Sequence, residues 1–141
     1  MGKYDTDRVL SFVEIAKRVS NGKTALVIGG GLGRNEETQE AVKEILAALT
    51  DVPVIIDADA LYAVAEKLEV IKNKNWILTP HSYEFFVLSG KDLGDFSFEE
   101  RIEIVKKFSQ EIGNIILLKG GTDIISDGKE VVLNSRGSPY M

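Results

Sequence analysis

The sequence predicts an α/β fold: a mainly parallel sheet with helices on both faces and a C-terminal antiparallel hairpin. Three observations carry that expectation. Four apolar runs, Leu26-Val27-Ile28, Val54-Ile55-Ile56, Trp76-Ile77-Leu78 and Ile115-Ile116-Leu117-Leu118, lack polar alternation, as strands covered on both faces of a parallel sheet do. Stretches with apolar residues at helical spacing separate these runs, the alternation expected of right-handed strand-helix-strand units. Finally, Ile124-Ile125-Ser126 and Glu130-Val131-Val132-Leu133 flank Asp127-Gly128, the strongest short hairpin signal.

In chain order, a first helix begins after Asp5 or Thr6 as N-cap and is laid on the sheet through Val9, Phe12, Val13, Ala16 and Val19, with Gly22 as its stop. Thr24 to Ile28 is the first buried strand. A glycine-rich stretch, Gly29-Gly30-Gly31-Leu32-Gly33, leads to a second helix from about Asn35 to Leu49 whose inward stripe is Ala41, Val42, Ile45 and Leu49. Val54 to Ile56 forms the next strand, Ala60 to about Lys67 a short third helix, and Trp76 to Leu78 a strand that Pro80 ends. His81 or Ser82 caps a short helix carrying Phe85, Phe86 and Leu88, which Gly90 terminates. Ser97-Phe98-Glu99-Glu100 has capping-box spacing ahead of Ile102, Ile104, Val105 and Phe108, so a helix reaches about Ile112 and Gly113 ends it. Ile115 to Leu118 is again an apolar strand, and after the hairpin Asn134 to Met141 reads as a loop.

At 141 residues and 15.5 kDa the chain has material for one good core and is read as a single unit over residues 1–141. A formal charge of -5 and a pI near 5.0 disfavour nucleic-acid binding by phosphate neutralisation and point to a small-molecule partner. There is no cysteine, which excludes disulfides and thiolate zinc sites. No apolar run approaches the roughly 20 residues of a membrane span, and the N-terminus lacks a signal-peptide pattern, so a cytoplasmic protein without membrane contact is expected.

Every predicted parallel strand ends in residues with chemical potential, and in open α/β sheets ligands sit beyond the carboxyl ends of the strands. Four loaded tips therefore imply one shared site. Glycines at 29, 30, 31 and 33 between a strand and a helix allow close approach of backbone to a phosphate or sugar, although a plain tight turn needs the same residues. The run has neither the spacing of a dinucleotide fingerprint nor the lysine end of a P-loop. Asp57 is the stronger candidate for a ligand contact, while Asp59 serves to cap the following helix. Together the two acids would suffice for a Mg²⁺ site, since that ion needs few protein oxygens. His81, the only histidine, stands at a strand tip near Glu84, where a neutral imidazole donates one hydrogen bond and accepts another. Lys119-Gly120-Gly121 offers an ammonium and flexible amides to a phosphate or a ring edge.

With these residues in view, the chain resembles the ADP/ATP-dependent NAD(P)H-hydrate dehydratases, repair enzymes with a ribokinase-like fold. Four motifs in order carry the resemblance over nearly the whole chain: Leu26-Val27-Ile28-Gly29-Gly30-Gly31-Leu32-Gly33-Arg34, Val54-Ile55-Ile56-Asp57-Ala58-Asp59-Ala60-Leu61, Leu78-Thr79-Pro80-His81 with Glu84-Phe85, and Leu117-Leu118-Lys119-Gly120. The resemblance implies a ribokinase-like three-layer domain. It places Gly31, Gly33 and His81 beside the hydrated nicotinamide dinucleotide and puts Lys119, Gly120, Gly121, Thr122 and Asp123 beside ADP or ATP.

The family chemistry is phosphoryl transfer from the nucleotide to the hydrate's hydroxyl, then loss of phosphate to restore NADH or NADPH. Departures are visible. The family has proline where this chain has Gly30, and Pro-Gly where it has Ser82-Tyr83; its Lys-Gly-Ala-Gly-Thr loop is here Lys119-Gly120-Gly121-Thr122-Asp123. It continues past the equivalent of Gly137-Ser138-Pro139-Tyr140-Met141 with Gly-Gly-Thr-Gly-Asp, the anion site and the acid that activates the hydroxyl. The catalytic acid is therefore expected beyond Met141, which makes the chain a domain without its C-terminal part and an inactive fragment. A homo-oligomer is expected, because the missing part would leave apolar surface exposed. Two other readings are a ribokinase-like kinase acting on a vitamin precursor and a non-catalytic nucleotide-binding module.

Overall fold

The computed structural model describes residues 6–135 and contains five α-helices and six strands in that span. They follow in the order α1 (Thr6–Ser20), β1 (Leu26–Ile28), α2 (Glu36–Ala48), β2 (Val54–Ile56), α3 (Asp59–Ala65), β3 (Ile77–Leu78), α4 (Ser82–Ser89), α5 (Phe98–Ile112), β4 (Ile115–Leu118), β5 (Asp123–Ser126) and β6 (Val131–Asn134). Short 3-10 turns at Leu68–Val70 and Leu93–Asp95 have no counterpart in the sequence pattern. The six strands form one sheet in chain order, with β1 to β4 parallel and β4, β5 and β6 antiparallel. All four parallel strands therefore end on one rim, as their loaded tips imply.

Local chemistry explains the element boundaries. Ser97 and Glu100 close a capping box at the start of α5, and Gly113 ends it in the left-handed region at φ 68°. His81, rather than Ser82, caps α4. Asn35 caps α2 by accepting the Thr38 amide at 2.8 Å. The other end of α2 is held from outside: the Lys74 ammonium donates to the carbonyls of Leu46 at 2.6 Å and Leu49 at 3.1 Å, and lies 4.6 Å from the Trp76 ring centre. Burial pushes the Lys74 pKa down. The carbonyls around it offset part of that desolvation by accepting its protons.

One face of the sheet carries the core. Val54, Ile56, Leu78, Ile116, Leu118 and Ile124 are buried there against Leu46, Leu61, Val64, Phe85, Val105 and Phe108 from the helices. At the lower end of the sheet, Asn114 is fully buried. Its side chain accepts the Trp76 amide at 2.9 Å and donates to the carbonyls of Ile71 at 2.9 Å and Ile112 at 3.0 Å, so the polar group brings β3, β4 and α5 together without an unpaired atom. The hairpin loop spans residues 127–130, because Ser126 pairs with Val131. Asp127 accepts the amides of Lys129 and Glu130, and a Cβ on Gly128 would lie 2.8 Å from the Gln110 Cα of α5.

Several expectations are corrected. The α/β class and the mainly parallel sheet with its hairpin hold, but the strands are not buried on both faces by the described residues. Sequentially ordered parallel strands with right-handed crossovers carry their connecting helices on one face. The other face displays Val27, Ile55, Ile77, Ile115, Leu117, Ile125 and Val132 in a row connected by register, with Val27 71% and Val132 58% exposed. The first strand is thus an edge strand of Leu26–Ile28 rather than a buried strand from Thr24. Helix α1 packs on α2 instead of lying on the sheet, which leaves Val19 exposed. The side chains of Val9 and Phe12, Asp5 as a cap, and the loop from Arg136 to Met141 lie outside the described residues. In α2 the buried positions are Val42 and Leu46, with Leu49 just after the helix. No described helix is long and apolar enough to cross a membrane.

Candidate active site

The rim is built outward from β2. Gly29, directly after β1, has φ 146°, and a Cβ there would lie 1.7 Å from the Asp57 carbonyl oxygen. Only a residue without a side chain lets the two strand tips come this close, and the Asp57 amide donates to the Ile28 carbonyl at 3.0 Å as a result. The chain then turns sharply at Ala58, whose φ of 48° and ψ of -126° form a strained backbone for a residue with a Cβ. This turn separates the two acids by partner. Asp57 serves β3 and β4, while Asp59 serves the glycine loop.

Asp59 does not cap α3 with its side chain. It is the first helical residue, Ala58 occupies the cap position, and the Asp59 carboxylate instead accepts the Gly33 amide at 2.8 Å. The Arg34 side chain completes this arrangement, with Nε 3.8 Å from Asp59 and its guanidinium 4.3 Å from the Tyr62 ring centre. The loop that carries Gly31 and Gly33 is therefore tied to the start of α3.

Asp57 joins the next two tips. Its Oδ1 accepts the Thr79 hydroxyl at 2.7 Å and the Lys119 ammonium at 3.2 Å. Burial raises the Asp57 pKa, but hydrogen bonds from Thr79, Lys119 and the Ala58 amide outweigh it and hold the carboxyl below the usual carboxylate range. The folded pKa is depressed, so the stabilisation is fully present above the unfolded value of about 4 and is lost as pH falls through the folded value. Urea denaturation of the wild type and Asp57→Asn between neutral and strongly acidic pH tests this. The stability gap between them should be constant near neutrality and shrink in acid; a gap independent of pH would remove the ion pair from the account.

His81 follows β3 on the same rim. Its Nδ1 accepts the Glu84 amide at 3.3 Å, and its own amide donates to the buried Glu84 carboxylate at 3.1 Å. A neutral ring that accepts at Nδ1 carries its proton on Nε2, which lies 3.4 Å from Glu84 Oε1 on a half-exposed side chain. After β4, the Asp123 carboxylate accepts the Gly120 amide at 3.0 Å and so folds the loop over Lys119, Gly120, Gly121 and Thr122. That loop borders a cavity of about 320 Å³, with Leu93, Phe98 and Leu118 among its apolar walls.

The structure thus brings Asp57 and Lys119 into contact, sets the glycine loop and His81 on the same rim, and gives Asp59 and Asp123 loop-shaping partners. Thr79 has no assigned role in the sequence reading; its hydroxyl beside an acid-bearing tip is the available signal. Tyr62, the platform for Arg34, gives no sequence signal. Among the described residues no cluster of three His, Asp or Glu side chains could hold a metal ion, and Asp57 and Asp59 already face cations or amides. The pair does not fit a resident Mg²⁺.

Residues 6–141 match the family model described as NAD(P)H-hydrate dehydratase. The chain belongs to the NAD(P)H-hydrate dehydratase family. This is a family of lyases, and curated members agree with the assignment. The chain is 41% identical over 128 residues to an ADP-dependent (S)-NAD(P)H-hydrate dehydratase of Cenarchaeum symbiosum, covering 91% of this chain and 44% of the relative. It is also 41% identical over 113 residues to an ATP-dependent (S)-NAD(P)H-hydrate dehydratase of Bos taurus, covering 77% and 34%. Among solved structures, the ADP/ATP-dependent NAD(P)H-hydrate dehydratase of Bacillus subtilis, co-crystallised with ATP/Mg²⁺ and soaked with CoA, superposes with a TM-score of 0.60 at 29% identity, over 87% of this chain and 46% of that one. A ribokinase-like superfamily protein of Enterococcus faecalis, at 23% identity with a TM-score of 0.74 over 94% of this chain and 46% of that one, shares the fold. This dehydratase-family chain spans less than half the length of each of these proteins.

Proposed function

We propose that this chain carries the substrate rim and the nucleotide loop of an ADP- or ATP-dependent NAD(P)H-hydrate dehydratase. In this reading the hydrated dinucleotide lies against Gly31, Gly33, Asp57 and His81, with His81 Nε2–H as a donor. The adenine nucleotide lies against Lys119, Gly120, Gly121 and Thr122, with Asp123 shaping the loop. The observation that carries the reading is the 3.2 Å contact between Asp57 and Lys119, because it joins the two ligand regions through one ion pair. Transfer of a phosphoryl group requires donor and acceptor held side by side, and most of its catalysis is positioning and charge stabilisation. Lys119 supplies a cation to the phosphates. Mg²⁺ would arrive on those phosphates, as it commonly does in phosphoryl-transfer sites.

The test is calorimetric titration with ADP and ATP. Lys119→Met should weaken both by about tenfold or more, the scale of a lost charge-assisted contact. Wild-type chain that binds neither nucleotide, or a variant that binds as tightly as wild type, would overturn the nucleotide assignment.

We further read the 141 residues as one folding unit of a larger ribokinase-like domain, located in the cytoplasm with its dinucleotide substrate. The apolar row from Val27 to Val132, exposed at its two ends and partly exposed between them, makes self-association of this chain the expected state. Light scattering across a concentration series should show masses above the monomer, and Val27→Lys with Ile125→Lys should restore the monomer. A monomeric wild type would refute the expectation.

A further inference from the structure

We infer that Arg101 is a second anion contact of the nucleotide cavity and takes a phosphate of the bound nucleotide on its guanidinium. The inference rests on the nucleotide reading given above and adds a residue to it. Arg101 lies near the start of α5, is only partly exposed, and lines the same cavity of about 320 Å³ as Lys119, Gly120, Gly121 and Thr122. Its Nε donates to the Phe96 carbonyl at 3.1 Å, which anchors the planar head from one side. Among the described residues no carboxylate lies within ion-pair distance of it.

Those facts fit together physically. Arg101 is partly shielded from water and so gives up part of its hydration, a loss that proteins usually offset with a carboxylate. Here the described residues supply one backbone carbonyl and leave the charge uncompensated. The other cation on the cavity wall, Lys119, is already paired with Asp57, so Arg101 is the wall's unpaired positive charge among the described residues. A fixed planar fork suits the oxygen pair of a phosphate better than a flexible ammonium does. Apolar Leu93 and Phe98 on the same cavity leave room for the uncharged part of the ligand. Arg101 thereby adds a second cation for the phosphates beside Lys119, whose charge is shared with Asp57.

Calorimetric titration of the full chain with ADP and with adenosine tests the inference, with Arg101→Gln, Arg101→Lys and Lys119→Met as variants and circular dichroism as the check on folding. Arg101→Gln should weaken ADP by about tenfold and leave adenosine within about twofold, with Arg101→Lys in between for ADP. Equal weakening of ADP and adenosine would make Arg101 a structural residue acting through Phe96, and unchanged ADP affinity would remove it from the site; either result overturns the inference. If Lys119→Met weakens ADP and Arg101→Gln does not, this inference alone fails. If wild type binds no ADP, the nucleotide reading fails with it.

Discussion

This chain by itself is expected to recover no measurable NADH or NADPH from the hydrate with ADP or ATP. A chimera that joins it to the part of the Cenarchaeum symbiosum relative outside the matched 128 residues is expected to be active. The reason is that each acid on the described rim already has another task. Asp57 is held by Thr79 and Lys119 with a lowered pKa, which makes it a poor proton acceptor. Asp59 holds Gly33, Glu84 closes the His81 capping box, and Asp123 holds Gly120. None is left to take the proton of the attacking hydroxyl, a task worth about a hundredfold to ten-thousandfold. The assay is the return of reduced-nicotinamide absorbance with both proteins at equal concentration. Full activity from the short chain would move the chemistry to another acid, with Asp57→Asn as the next variant to measure.

Gly29→Ala is expected to cost about 3 kcal/mol or more of folding stability, a large share of what a small domain has. The new Cβ would sit 1.7 Å from the Asp57 carbonyl oxygen and 2.5 Å from its carbon, both backbone atoms that cannot rotate aside. A φ of 146° adds strain for any residue with a side chain. Relief would require the tips of β1 and β2 to separate, breaking the Asp57 amide bond to Ile28 at the β1 edge of the rim. Gly30→Ala is the control, because a Cβ at position 30 meets nothing within 4 Å. Urea denaturation of both variants should show a large loss at position 29 and almost none at position 30. Similar losses would mean that loop entropy, and not contact with Asp57, sets the cost.

Much of this architecture is legible in the sequence because it depends on local signals. The Ser97 capping box, Gly90 and Gly113 as helix ends, and the hairpin around Asp127-Gly128 are decided within a few residues. The shared rim is also legible, since parallel strands must end together. What the sequence conceals depends on the third dimension. Four apolar runs look covered on both sides, yet periodicity cannot distinguish a strand packed on two faces from one whose second face is open in the described residues. Asp59 looks like a helix cap because it precedes an apolar helix; its carboxylate finds the Gly33 amide only because the chain turns at Ala58. The meeting of Asp57 and Lys119, 62 positions apart, has no local trace.

The sheet's strand order has a consequence for how the chain is made. Strands occupy the sheet in the order in which they leave the ribosome, so none has to be inserted between two already in place. Each parallel strand can dock on the edge left by its predecessor once the intervening helix has emerged, which keeps contacting segments close in sequence and loop closure inexpensive. The hairpin of β5 and β6 then forms locally, on the order of microseconds, against an edge that is already waiting. Synthesis and folding can therefore advance together from the glycine loop towards the nucleotide loop, and the rim is completed when β4 brings Lys119 to Asp57.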